Sequence, residues 1–484
     1  MSEEQAAREA RATGADASRP SRWLGDVCVL GLGKTGVAVA EYLAGPARGR
    51  VGSVTVFGGA RSTMGEAARA LEAAGVSVRV GTDEVDGSYD LVVSSPGIPE
   101  SSPFLASARA HAAEVIGEPE FAWRESPERW VGITGTNGKT TTTTLAAELL
   151  RAGGDVALTV GNIGTVATSQ VADRPAGSWF VAELSSFQLE ETARLHPRVA
   201  VLLNITPDHV EWHGSLERYA AAKEKIFANL DAGDLAVVSV EDDWCRAIAG
   251  RLEARGLRVC HLDVHGVPAS PLAAYLAGDA LRVRLESGEV ELARRDELAI
   301  RGDHNVQNAL AASAAALEVG VAPADVRRAL LGFRALEHRI EPCGEVAGVR
   351  FVNDSKATNV DAVEKALTAF EPGRVVLLLG GHDKLSDLTS FSRKVASSCR
   401  AAVCYGEAGE RFAEALSAAG EGGGLVVERA PHMADALEAG CRLAAPGDTV
   451  LLSPACSSFD EFSGYEERGR VFKALVRDKM TAGA

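Results

Sequence analysis

The 484-residue chain has no run approaching 18 unbroken apolar residues, so nothing in it reads as a membrane-spanning helix. Residues 1–20 are rich in Ala, Arg and Glu and lack the apolar stretch of a secretory signal; a disordered tail is expected there. A basic excess is also missing. Lys and Arg number 50 against 66 Asp and Glu, a formal charge of −16, which argues against a nucleic-acid footprint and leaves anionic ligands to be met by local loops. The eight cysteines show neither C-x-x-C pairing nor disulfide-like spacing, as expected of reduced thiols in a cytoplasmic protein. No internal repeat is present. What the chain does have is length for about three domains, and apolar β-rich runs alternating with Ala-rich stretches, the pattern of βαβ units on mostly parallel sheets.

The most informative stretch is Thr134-Gly135-Thr136-Asn137-Gly138-Lys139-Thr140, entered from the apolar run Trp130-Val131-Gly132-Ile133 and followed by a helical pattern from Thr141. Strand, glycine loop and helix N-terminus together turn backbone N–H groups toward a nucleotide's phosphates. Lys139 adds a point charge, the Thr140 hydroxyl suits Mg²⁺, and ATP is the expected ligand. Ile133 stands five before Gly138, so the loop is a shortened form of the usual G-x-x-x-x-G-K-[ST]. The alternative is a chance Gly-Lys-Thr in a turn.

Upstream, Val27 to Leu30 run into Gly31-Leu32-Gly33-Lys34-Thr35-Gly36, a strand leading into G-x-G-x-x-G. The second strand, Ser53 to Phe57, is followed by Gly58-Gly59-Ala60 where a ribose-binding acid would stand. A diphosphate is therefore a more economical ligand than NAD, and a purely structural glycine turn stays open. Downstream, Trp179-Phe180-Val181-Ala182 delivers Glu183 to a strand end, as a Mg²⁺ ligand or as a solvated carboxylate. The next strand ends in Thr206-Pro207-Asp208-His209, and His209 reads equally as a loop histidine. Between Ser215 and Leu230, Lys223 falls in the apolar stripe of Leu216, Tyr219, Ile226, Phe227 and Leu230. Burial would lower its pKa and let the neutral amine take up CO₂ as a metal-binding carbamate; a packed stem with its ammonium in water is the other reading.

Taken together, the motifs at 134–140, 183–190, 204–209, Lys223, 302–310, His338-Arg339 and 353–359 occur in the order seen in Mur ligases, and the chain resembles that family from about residue 25 to 475. The loop 31–36, Leu379-Gly380-Gly381-His382-Asp383-Lys384 and the stretch 452–462 resemble the members that join D-glutamate to UDP-N-acetylmuramoyl-L-alanine. The resemblance implies an α/β chain of three domains after the 1–20 tail: a Rossmann-like UDP-substrate domain at 21–118, a central P-loop ATPase-like domain with a parallel sheet at 119–335, and a Rossmann-like C-terminal domain at 336–484 that binds the amino acid. Gly31, Gly33, Lys34, Thr35, Gly36, Asn162 and Ser185 would hold the UDP substrate. Gly135, Thr136, Asn137, Gly138, Lys139, Thr140, Thr141, Asn305, Arg339 and Asp354 would hold ATP, and Lys356, Thr358, Lys384, Ser458 and Tyr465 D-glutamate.

By the same resemblance, Thr140 and Glu183 would bind one Mg²⁺, and His209 with carbamylated Lys223 a second; Lys139, Glu183, His209, Lys223 and Arg339 are the expected catalytic set. Small-molecule substrates, a monomer, a cytoplasmic location and neither nucleic-acid nor membrane partners follow. Two departures stand out: Tyr465 where Phe is usual, and Gly58 in place of the common acid. Closure of the domains would assemble the site, with hinges near 118 and 335. Another amide ligase, such as a folylpolyglutamate-type enzyme, would lack Lys384 and Ser457-Ser458. A nicotinamide-dependent oxidoreductase or a non-catalytic nucleotide module would leave Lys139, Glu183 and Lys223 unexplained.

Overall fold

In the computed structural model the alternating runs become an α/β chain whose strands are mostly parallel. Residues 23–334, 336–383, 387–420 and 424–482 are described. The expected 1–20 tail and Lys384 lie outside them, as does Ala335 at the expected second hinge. By their internal contacts the residues form two units, one of 1–135 and 146–260, the other of 136–145 and 261–484. The division falls inside the glycine loop, after Gly135.

The first unit opens with five parallel strands, β1 (Gly25–Leu30), β2 (Val51–Phe57), β3 (Ser77–Arg79), β4 (Tyr89–Ser94) and β5 (Ala112–Gly117), in the order β3-β2-β1-β4-β5. β1 sits at the centre because Val27 to Leu30 are apolar on both faces, and all four are fully buried. Its helix, Lys34–Ala44, starts at the strand's carboxyl end with Gly33 at the N-cap and no side-chain cap, which leaves N–H groups for a ligand. Gly36 lets the helix lie against the strand: a Cβ there would come within 1.9 Å of the Gly31 carbonyl oxygen.

Five further parallel strands of this unit are β6 (Trp130–Thr134), β7 (Ala157–Gly161), β8 (Trp179–Glu183), β9 (Val199–Leu202) and β10 (Leu235–Ser239), in the order β10-β9-β6-β8-β7. β6, β8, β9 and β10 are buried along their whole lengths. The order places β6 between β8 and β9, so the chain leaves β6 to one side and later returns on the other, and ligands bind where such a sheet reverses. Around the expected first hinge, residue 118 begins the helix Glu118–Glu125, which carries the buried carboxylates Glu118 and Glu120. Glu118 accepts from the Thr168 N–H and hydroxyl, each at 2.7 Å, and Glu120 from the backbone N–H groups of Ala193, Arg194 and Leu195. A hinge there would have these bonds to keep or break.

The second unit contains a strand group that the sequence reading did not foresee. The last residues of β11 (Arg258–Asp263), His261 to Asp263, pair parallel with β12 (Ala273–Ala277), and β12, β13 (Ala280–Leu285) and β14 (Gly288–Arg294) form an antiparallel meander through two-residue connections. The helix Asp303–Glu318 follows. A six-stranded sheet completes the unit, with β15 (Glu341–Val346), β16 (Val349–Asn353), β17 (Val375–Gly380), β18 (Ala401–Tyr405), β19 (Val426–Ala430) and β20 (Thr449–Ala455) in the order β15-β16-β20-β17-β18-β19. All its pairings are parallel except that of the edge strand β15. No described helix is long and apolar enough to cross a membrane.

Candidate active site

In the first unit the carboxyl ends of β6 and β8 are joined by the Thr134 hydroxyl, which donates to the Leu184 carbonyl at 2.7 Å. Glu183 ends β8 and is 2% exposed. Its Oε1 accepts from the Asn162 Nδ2 at 2.8 Å, and the Asn162 backbone N–H donates to the Glu183 carbonyl at the same distance. Its Oε2 is buried with no hydrogen-bond partner among the described residues. A carboxylate held by one oxygen and free at the other suits a hard cation such as Mg²⁺. Asn162, expected at the acceptor substrate, thus orients Glu183.

Lys223 is 1% exposed, as its stripe implied. Its Nζ donates to the Gly135 carbonyl at 2.8 Å and lies 4.6 Å from the centre of the Tyr219 ring. The helical spacing of Tyr219 and Lys223 delivers the ammonium to the start of the glycine loop. An ammonium does not ligate a cation, so a metal role requires the carbamate. His209 takes a left-handed conformation, with φ 52° and ψ 28°, at the start of a short helix. Its Nε2 lies 3.6 Å from Asp208 and its ring 4.8 Å from that of Phe187.

Ser185 caps the helix Ser186–Glu190 in a reciprocal box with Gln188, so the side chain expected at the UDP substrate has a structural partner. Sequence reasoning passed over His213. Its ring stacks on Phe187 at 5.7 Å and 9°, and its Nε2 meets the Ser186 hydroxyl at 2.9 Å. Burial drives its pKa down from the ordinary 6.5 to about 4, leaving it neutral near pH 7. The signal available was the spacing His209, Trp212, His213 behind an aromatic Phe187.

On the UDP side, Lys34 is exposed, Thr35 half-buried and Gly31 in the left-handed region at φ 98°. The missing acid has a steric explanation. A Cβ at Gly58 would come within 2.4 Å of the Ser62 hydroxyl and 2.6 Å of Leu32. Ser62 donates to the Gly59 carbonyl at 2.6 Å, and the carboxylate at this end of the sheet comes from Asp83, which accepts from the Ala60 N–H at 2.7 Å.

In the second unit, Lys139 folds back on its own loop and donates to the Thr136 carbonyl at 2.8 Å. Thr136, Thr140 and Thr141 are buried, and Gly138 supplies φ 87°. The Lys356 ammonium, expected at D-glutamate, donates to the Thr140 Oγ1 at 2.7 Å and lies 5.2 Å from the Tyr465 ring centre. The Asn137 Nδ2 donates to the Asp361 Oδ2 at 2.5 Å. A chain runs from the Thr142 hydroxyl to Asn308 at 3.1 Å, from Asn308 to Asn305 at 3.2 Å, and from Asn305 to the Arg301 carbonyl at 2.8 Å.

Asp354 is buried, accepting from the Ile340 N–H at 3.2 Å and the Ser453 hydroxyl at 2.7 Å. Burial pushes its carboxyl up from 3.8 to about 6 against the pull of the nearby Arg339 guanidinium. The Arg339 Nε is itself buried without a hydrogen-bond partner among the described residues. Ser458 is 2% exposed, Thr358 half-buried, and Tyr465 opens the helix Tyr465–Ala482. Arg468, which sequence reasoning missed, is fully buried and donates to Ser355 Oγ and O and to the Cys456 and Ser457 carbonyls, pinning the loops that carry Lys356 and Ser458. Its signal was the four-residue spacing to the apolar Phe472 and Val476, both fully buried.

Family models match three stretches: the Mur ligase MurD-like N-terminal domain at 25–117, the Mur ligase middle domain at 133–316 and the Mur ligase glutamate ligase domain at 338–456. A UDP-N-acetylmuramoylalanine–D-glutamate ligase of Koribacter versatilis is 40% identical over 456 residues, covering 93% of this chain and 97% of that protein. The chain belongs to the Mur ligase family. A ligase of the same name from Desulfitobacterium hafniense is 42% identical over 391 residues, covering 80% of this chain and 84% of that one. Among solved structures, a pseudomurein peptide ligase type C from Methanothermus fervidus matches this Mur ligase with a TM-score of 0.58 at 16% identity, covering 94% of this chain and 99% of that one. UDP-N-acetylmuramate-alanine ligase MurC from Thermotoga maritima gives 0.55 at 20% identity over the same shares. At those identities the likeness is one of fold.

Proposed function

We propose that this Mur ligase joins D-glutamate to UDP-N-acetylmuramoyl-L-alanine at the expense of ATP, in the synthesis of peptidoglycan precursors. The relatives of that name, 40% identical across nearly the whole chain, carry the reading. In the reaction, the substrate carboxylate attacks the γ-phosphorus of ATP, ADP departs, and an acyl phosphate forms. The D-glutamate amine then attacks the acyl carbon, loses a proton, and the tetrahedral intermediate expels phosphate. Both steps gather negative charge, so catalysis falls to groups that hold and offset it.

With domain boundaries at 118 and 335, the UDP moiety would fall to the Gly31–Gly36 turn, ATP to the central domain and the amino acid to the C-terminal domain. Lys139 and Arg339 would meet the phosphates, Asn305 the adenine, Asp354 the ribose, and Lys356, Thr358, Lys384, Ser458 and Tyr465 the D-glutamate. Mg²⁺, when bound, supplies charge neutralisation on the transferring phosphoryl group. Thr140 and Glu183 would hold one ion, and His209 with a carbamate on Lys223 a second. We place the enzyme in the cytoplasm, as a monomer. Release of ADP in the presence of UDP-N-acetylmuramoyl-L-alanine should require D-glutamate; preference for L-glutamate, L-lysine or meso-diaminopimelate would assign it to another ligase of the class.

Two results are expected at these positions. Ser458→Ala and Lys384→Ala should each raise the KM for D-glutamate tenfold or more, on the order of a lost charge-assisted hydrogen bond, while the KM for ATP changes little. A shift confined to ATP would remove both from the amino-acid site. Asp354 provides a pH signature. Because its folded pKa is raised, its contribution to stability is complete below the ordinary 3.8 and is lost as pH rises through about 6. Ribose hydroxyls donate to the ionised form, so the KM for ATP should climb as pH falls below about 6. Asp354→Asn should flatten that rise, and an unchanged profile in the variant would assign it to another group.

A further inference from the structure

Asp361 belongs to none of the sets above, yet it touches the phosphate loop. Asn359 caps the helix Val360–Leu367 by accepting from the Ala362 N–H at 2.9 Å, so the helix start is rigid and Asp361 stands in its first turn. Its Oδ2 accepts from the Asn137 Nδ2 at 2.5 Å and lies 3.0 Å from the Lys365 ammonium one turn on. The side chain is 21% exposed, so the pair is partly shielded from water. Four residues upstream of the capped helix start, the Lys356 ammonium bonds the Thr140 hydroxyl. The segment 356–361 therefore grips the loop at two points, Asn137 on one side of Gly138-Lys139 and Thr140 on the other.

The consequence follows from the loop's backbone. Gly138 sits at φ 87°, and because glycine lacks a Cβ it reaches this and many other conformations at little cost, so its own chemistry does not fix the loop. Phosphate binding needs the N–H groups of 136–140 aimed before the nucleotide arrives, since ordering them on binding subtracts from affinity. A hydrogen bond from Asn137 to a carboxylate, itself fixed by a capped helix and a lysine, supplies that order.

Building on the ATP-dependent reading above, we propose that Asp361 is a positioning residue for the nucleotide: through Asn137 it holds the phosphate loop in its binding shape, and so links the start of the Val360–Leu367 helix to ATP affinity. The simpler role is that of an acid complementing the helix N-terminus, which would affect stability alone.

A double-mutant cycle separates the two. Asp361→Ala and Asn137→Ala should each raise the dissociation constant of ADP, measured by calorimetry on the full chain without the other substrates, by about tenfold, the scale of a hydrogen bond to a charged group. In the Asn137→Ala background the further effect of Asp361→Ala should fall below about twofold. Asp361→Asn keeps an acceptor for Asn137 and should recover most of the affinity; it also provides the reading should the alanine variant not fold. With the KM for D-glutamate unchanged and that for ATP raised, the effect is on the nucleotide. Additive losses, unchanged ADP affinity, or equal rises in both KM values would overturn the proposal. Should ADP fail to bind the unmodified chain at all, the ATP-dependent reading fails instead.

Discussion

Replacing Lys139 by alanine should abolish ADP release while leaving the protein folded. In the structure the lysine donates to the Thr136 carbonyl of its own loop, a hydrogen bond whose loss costs the fold about 1 kcal/mol, within a few degrees of melting temperature. Its charge counts only when phosphates are present. Phosphoryl transfer spreads negative charge over the γ-phosphate oxygens, and removing one preorganised positive group from such a site costs on the order of 10²- to 10³-fold in turnover, or more where the nucleotide also binds less well. A coupled assay for ADP together with a melting curve decides it. Turnover within tenfold of the original enzyme would remove Lys139 from the phosphates.

Lys223→Ala should be nearly as damaging, and reversible in part. Carbamylation needs a neutral amine to attack CO₂ and shed a proton, and a 1% exposed lysine is placed where desolvation favours that neutral form. In the structure the ammonium bonds Gly135, so the carbamate would exchange that hydrogen bond for an anionic headgroup beside the loop. Truncation removes both, and a loss of 10²-fold or more in turnover is expected. Acetate or formate in solution should then recover part of the activity by standing in for the lost carboxylate, which a merely destabilised variant would not do. Supplying ¹³C-labelled bicarbonate to the original enzyme should yield a carbamate resonance that is absent in the variant. Without that resonance in fully active, Mg²⁺-loaded enzyme, Lys223 reverts to a cationic partner of the loop.

Local periodicity carried the first stages of the reading. The alternation of apolar runs with Ala-rich stretches specified the α/β class, since a parallel strand must be apolar on both faces, and β1, β6, β8 and β9 are. The stripe through Tyr219, Lys223 and Ile226 specified a buried lysine because helical spacing alone puts the three on one face. Gly138 and Lys139 were legible because a tight loop between strand and helix needs those residue types. The meander β12 to β14 was passed over although its strands are neighbours in sequence joined by two-residue connections, because such short strands stand out little from the longer alternation of apolar runs and helices around them.

Partners distant in sequence were likewise beyond reach. Asn162 reaches Glu183 across 21 residues, Lys356 reaches Thr140 across 216, and Asn137 reaches Asp361 across 224. Arg468 bonds Ser355 across 113. In each case the sequence by itself determined which chemistry was available, a carboxylate at a strand end or a cation near a glycine loop. Only the tertiary structure decided what each group faces, because a hydrogen bond depends on distance and direction to within a fraction of an ångström and neither is encoded in spacing along the chain.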